Sequence, residues 1–126
     1  MDNLQEPRSA RHDERDDLLA TINYIFRTSQ GRPASIAAEY PHVYASINLG
    51  NVVVVMTDGK TVSSAGVWPC DVRVSQTSLR VGGVNAVGAL PTSHKNGLGT
   101  KIMAAAHWQM RDLSYHIGLL GTGIYN

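Results

Sequence analysis

The residues best placed to do chemistry lie in 84–109, VNAVGALPTSHKNGLGTKIMAAAHWQ. An apolar, strand-like run feeds a loop made of Pro91, Thr92, Ser93, His94, Lys95, Asn96, Gly97, Leu98, Gly99 and Thr100, and the loop opens into a helical pattern. Gly97 and Gly99 carry no Cβ, so a ligand can approach the backbone there. The first N–H groups of a helix have no intrahelical acceptor, and the helix dipole adds partial positive charge to them. The loop therefore suits an anion such as a phosphate. The strand before it can hold the rest of an extended ligand.

The other reactive side chains have less company. His42, His107 and His116 have no ligand partners at metal spacing, so no metal is expected and each is read as structural or exposed. Ser63, Ser64 and Ser93 have no triad around them. Cys70, the single cysteine, excludes an internal disulfide. In its strand-like stretch it reads as a small buried core residue rather than a nucleophile. Trp68 and Trp108 are expected in or beside the core, with the edge of a ligand cleft as the alternative for Trp68.

These residues need a scaffold, and 126 residues suffice for one domain with a single core. Hydrophobic residues at 43% and charged residues at 17% fit a folded chain. A net charge of +1 gives no electrostatic reason to expect nucleic acid as a partner. No run is long enough to span a membrane and the start has no apolar leader, so a cytoplasmic protein without a membrane partner is expected. Residues 1–7 are polar and predicted to fray as a disordered tail, leaving 8–126 as the domain. A short strand is predicted at 8–11 and a helix from about Asp13, where Leu18, Leu19, Ile22, Ile25 and Phe26 recur at helical spacing. Its acids (Asp13, Glu14, Asp16, Asp17) mix with arginines as on a solvated face. A second helix is expected over 36–44, with Ser35 and Glu39 as a reciprocal cap. Three strands follow, at 51–57, 61–74 and 78–90, with turns at Asp58-Gly59-Lys60 and Ser75-Gln76-Thr77. Pro69 predicts a bulge, and Gly82, Gly83 and Gly88 predict close approach of another backbone or a ligand. A helix over 98–113 and a strand over 115–120 complete the order. The helix between two strands implies a parallel crossover, and the meander before it implies antiparallel pairing. The expected fold class is therefore α/β (α+β), a mixed central sheet flanked by helices.

This order, with Val87, Gly88, Ala89, Leu90 and Pro91 leading to Gly97-Leu98-Gly99, resembles the GCN5-related N-acetyltransferases, the GNAT superfamily. The family pattern there is V-x-P-x-x, then Arg or Gln, then x-x-G-x-G or x-x-G-x-A; Pro91, Gly97 and Gly99 fall in register. Arg80-Val81-Gly82-Gly83-Val84 and Leu120-Gly121-Thr122-Gly123-Ile124-Tyr125 look closest to the branch of the mycobacterial enhanced-intracellular-survival acetyltransferases. The resemblance implies acetyl-CoA lying between the fourth and fifth strands. The backbones of Val87 and Ala89 would pair with its pantetheine arm, and those of His94, Lys95, Asn96, Gly97, Leu98, Gly99 and Thr100 would cradle its pyrophosphate. Two residues depart from the family. His94 stands where it has Arg or Gln, and Asn96 where a basic residue is common, which leaves Lys95 as the fixed cation and implies weaker binding of the cofactor.

The resemblance also assigns the chemistry. Tyr125 matches the tyrosine that protonates the leaving thiolate, against the plainer reading of a tyrosine packed at a turn. A backbone N–H of Ala89 or a neighbour would serve the carbonyl oxygen. Some relatives place a glutamate base twelve residues before the glycine equivalent to Gly97; here that position is Asn85, which can hold a water but cannot take a proton, or simply bond a neighbouring backbone. The implied activity is transfer of an acetyl group to a primary amine of a small molecule or peptide. The alternative is a non-catalytic acyl-CoA-binding module. A complete domain of the family continues through another helix and two strands, so the chain reads as truncated at its C-terminus, with an exposed sheet edge that favours a homo-oligomer.

Overall fold

The apolar run 52–56 is buried and forms β2 (Val53–Thr57), inside the sheet with a strand on either side; the computed structural model describes residues 4–92 and 97–120. β2 pairs antiparallel with β1 (Arg8–Ser9) on one side and β3 (Lys60–Val74) on the other. β3 pairs antiparallel with β4 (Thr77–Ala89), and β4 pairs parallel with β5 (Ile117–Leu120). The result is the expected mixed sheet, five strands in the order β1-β2-β3-β4-β5. Asp58 and Gly59 take φ of 48° and 78° in the β2–β3 turn, the doubly positive geometry that an Asp-Gly pair favours in a two-residue hairpin. The segment expected to fray is tied down from Leu4: Leu4 bridges Thr57, and the Gln5 N–H donates to the Met56 carbonyl at 2.9 Å.

Helices cover both faces. α4 (Leu98–Asp112) lays Leu98, Ile102, Ala106 and Met110 on one face, against Val53, Val55, Ala65, Val67 and Val84. Each of its larger apolar side chains contributes about 1.5–3 kcal/mol by leaving water. Leu113, expected on that packed side, lies past the helix end and is 47% exposed. The opposite face carries α1 (Arg15–Phe26), α2 (Ile36–Glu39) and α3 (Pro41–Tyr44), whose Leu18, Ile22, Ile36, Val43 and Tyr44 pack on Val54 and Met56. The single helix expected over 36–44 is two, because a proline pushes the residue before it out of the helical region; Tyr40 takes φ −126° and ψ 59°. Ser35 donates its hydroxyl to Glu39 Oε2 at 2.7 Å, but the Ile36 N–H donates to Asn23 Oδ1 of α1 at 2.9 Å.

The irregularities of the sheet are not where proline suggested. Pro69 stands opposite Gly82 in unbroken register. The β2–β3 ladder reaches only to Ala65, so β3 has an open edge by then, where a missing N–H is tolerated. The two register shifts fall at Val55/Met56 and at Ser64/Gly66. At the first, Asp17 of α1 accepts the Thr61 N–H at 2.6 Å and Thr21 donates to the Thr61 carbonyl at 2.9 Å. Asp17 is thus a clamp on the hairpin rather than part of a solvated face. Cys70 is half-buried rather than a core residue. Trp68 and Trp108 are 39% and 58% exposed. Among the described residues no helix is long and apolar enough to cross a membrane.

Candidate functional site

The second register shift shapes the site. Ser64 stands opposite Gly88 and Gly66 opposite Asn85, so Ala86 and Val87 together face the single residue Ala65. That is a bulge in β4, and Ala86 holds a φ of 50° within it. Bulges bend a strand and re-aim its side chains. The parallel ladder to β5 runs from Val81 to Val84, and Val84–Leu120 is its last described pair, one residue before Asn85. β4 ends at Ala89, and α4 begins nine residues later behind Gly97, whose φ of 65° is left-handed.

The start of α4 fits an anion. It has no side-chain cap and no acid in its first turn. Among the described residues, a Cβ placed on Gly97 or Gly99 would meet nothing within 4 Å. Leu98, Gly99 and Thr100 form the first turn, whose N–H groups have no intrahelical acceptor. His94, Lys95 and Asn96 lie outside the described residues, as does Tyr125. Val87 is partly buried and packs against the α4-side core, while Ala89 is 7% exposed, stands opposite Ser63 and has an interaction of its own.

On the other face of the bulge is a cavity of about 130 Å³ lined by Phe26, Arg27, Ile36, Tyr40, Asn85 and Ala86. Asn85 donates a long hydrogen bond, 3.4 Å, from Nδ2 to the Gly83 carbonyl, while its Oδ1 is buried without a partner among the described residues. A buried acceptor left bare is costly, so it is a place where a ligand or water gains a hydrogen bond. Arg27 donates from Nε to Glu39 Oε2 at 2.8 Å. The hydrogen bond from Arg27, joined by the one from Ser35, holds the Glu39 carboxyl below its ordinary pKa. The charge at the cavity mouth is therefore paired.

The strand glycines answer mainly to side chains. A Cβ on Gly88 would stand 3.0 Å from Phe26 Cζ, and one on Gly82 would stand 2.8 Å from the Tyr115 ring. Gly83 alone of the three has room, with the Trp68 carbonyl 3.7 Å away. The structure brings Asn85, Val87 and Ala89 together on one bulged strand that leads toward Gly97, Leu98, Gly99 and Thr100. The residues not found from the sequence are Phe26, Arg27, Tyr40 and Ala86. Pro41 carried the signal for Tyr40, since it ends α2 there. Nothing local marks Ala86, because alanine has no preference for positive φ. Two histidines stand apart: His116 accepts the Arg80 N–H on Nδ1 at 2.8 Å, and His107 is exposed. No cluster of metal-ligating side chains occurs among the described residues.

No curated protein sequence matches the chain. Solved structures share its fold. A GCN5-related N-acetyltransferase of Kribbella flavida superposes with a TM-score of 0.74 at 21% identity, over 93% of this chain and 29% of that one. A predicted acetyltransferase of Clostridium acetobutylicum, solved with acetyl-CoA, gives 0.74 at 16% identity over 95% of this chain and 81% of its own. Glucosamine-6-phosphate N-acetyltransferase of Arabidopsis thaliana gives 0.69 at 12% identity over 97% and 84%. These likenesses establish the acyl-CoA N-acyltransferase fold. The model of the acetyltransferase (GNAT) domain matches residues 6–121, nearly the whole chain, and the chain belongs to that family.

Proposed function

We propose that the chain transfers an acetyl group from acetyl-CoA to a primary amine of a small molecule or peptide. The observation that carries this is the bulge at Ala86 and Val87, which sets Asn85, whose buried Oδ1 has no partner among the described residues, in the lining of a cavity on one face while the strand runs on toward the start of α4. Bound acetyl-CoA supplies the thioester. The backbones of Gly97, Leu98, Gly99 and Thr100, with those of His94, Lys95 and Asn96, hold its pyrophosphate, because helix-start N–H groups suit an anion. Val87 offers the pantetheine arm a strand edge; Ala89, which has a partner already, fixes that edge's direction.

The acceptor amine must be neutral to attack. Asn85 holds the water that takes its proton, since an amide orients a water but does not ionise. The amine nitrogen forms a bond to the thioester carbonyl carbon and the carbon–sulfur bond breaks. A backbone N–H of the bulge donates to the developing oxyanion, and Tyr125 protonates the leaving thiolate. We also assign the chain to the enhanced-intracellular-survival-like branch, on the motifs at 80–84 and 120–125.

The test follows thiol release from acetyl-CoA with a panel of amines, beside acetyl-CoA binding by thermal shift. Turnover with one amine class, reduced about 10–100-fold in kcat/KM by Asn85→Leu, is the expected result. Binding with no turnover supports the second reading, an acyl-CoA-binding module, which Asn85 in place of a carboxylate favours. Neither binding nor turnover overturns both.

A further inference from the structure

We propose that the acceptor site selects a primary amine carried on a flat apolar ring, held on a shelf formed by Tyr40, His42 and Trp68. The proposal rests on the acetyl-transfer reading above and names its substrate class. Tyr40 lines the Asn85 cavity, its ring lies 6.3 Å from that of His42, and His42 lies 4.5 Å from Trp68, both contacts edge-on. The three rings thus run outward from the cavity. Tyr40 and Trp68 keep 38% and 39% of their surface open, and His42 is exposed.

The strand register extends this shelf. Trp68 stands opposite Gly83, and Gly66 opposite Asn85. Side chains two apart share a face, so Trp68, Gly83 and Asn85 lie on the same one. Gly83 puts no side chain on that face beside Trp68, and a Cβ there would meet only the Trp68 carbonyl oxygen, at 3.7 Å, among the described residues. Charge narrows the substrate further. Among the described residues no acid lines the cavity, and the one nearby, Glu39, is bound to Arg27 and Ser35. Asp71 pairs with Arg80, which also stacks on Tyr115 on the α4 side. A polycation would find no unpaired carboxylate here, whereas an aromatic ring finds three partners for edge or face packing.

The experiment uses the Trp108→Phe variant, which leaves Trp68 as the sole tryptophan, with acetyl-CoA, 2-phenylethylamine and spermidine. Saturable change of Trp68 fluorescence with 2-phenylethylamine but not spermidine is expected, and Gly83→Val abolishes it while circular dichroism shows the fold retained. In turnover, Trp68→Ala raises KM for 2-phenylethylamine by about tenfold with kcat and the KM for acetyl-CoA unchanged, as loss of uniform binding requires. Spermidine saturating the fluorescence, or turned over as efficiently as 2-phenylethylamine, overturns the ring shelf and leaves acetyl transfer standing. Saturable 2-phenylethylamine binding without turnover of any amine overturns acetyl transfer but supports the shelf. Absence of 2-phenylethylamine binding overturns the shelf whatever the turnover.

Discussion

At Asn85 a single atom connects packing with chemistry. Its Oδ1 is buried and has no partner among the described residues, so the site already bears a desolvation cost that a bound water or amine relieves. Asn85→Leu removes that acceptor, and the expected loss is about 10–100-fold in kcat/KM for the amine, from about 1.5–3 kcal/mol of lost transition-state interaction. Steady-state kinetics with acetyl-CoA and amine varied separately check that the loss falls on the amine. Neighbouring glycines make a second residue-level prediction. Gly82→Ala drives a Cβ into the Tyr115 ring, 2.8 Å away, and into Met110 Sδ. It is expected to cost about 1–3 kcal/mol by overpacking. Gly83→Ala, with open space around it, is expected to change stability by about 0.5 kcal/mol or less. Urea titration of the pair distinguishes packing from a general intolerance of alanine in β4.

Elements are fastened by a few polar clamps. Arg8 of β1 donates to both oxygens of Glu14 at 2.8 and 2.6 Å, and Glu14 also accepts the Arg11 N–H at 2.9 Å. The clamp ties the edge strand to the entry of α1. The Arg8 hydrogen bond is the main reason the Glu14 carboxyl titrates below its ordinary range, with burial opposing it. A carboxyl whose folded pKa is depressed contributes stability above its unfolded pKa of about 4.3, and that contribution is lost as pH falls through the folded value. Glu14→Gln is therefore expected to lower stability by about 1–2 kcal/mol at neutral pH, and the deficit shrinks on acidification below about pH 4. Denaturant midpoints at pH 7 and pH 3 measure it.

For the whole molecule, the exposed apolar edge of the sheet is β5. β5 lies at the end of the strand order, its four residues are exposed, and Ile117, Leu119 and Leu120 are 41%, 59% and 51% open. A groove of about 360 Å³ runs beside it, lined by Met103, Met110, Tyr115 and Leu119 among others. An apolar edge without charge or proline is a template for pairing. The 126-residue chain is expected to self-associate as concentration rises, and Leu119→Lys to shift it toward monomer. Sedimentation velocity over a concentration series reads this directly.

The sequence by itself determined the order of elements, the mixed sheet and the strand-loop-helix at 84–109, because apolar periodicity, Asp58-Gly59 and the glycines at Gly97 and Gly99 act locally. It also placed Asn85, Val87 and Ala89 on one strand. Tertiary structure alone decided the bulge at Ala86 and Val87, since an alanine has no preference for positive φ and Ala86 packs against the core under α1–α3. It decided that Trp68 faces solvent beside the cavity rather than the core, and that Tyr40 and Arg27, forty-five and more residues before Asn85, line the same space. Such contacts join segments distant in the chain, and no local pattern encodes them. Periodicity names which face of an element is apolar; only the packed elements decide which side chains meet.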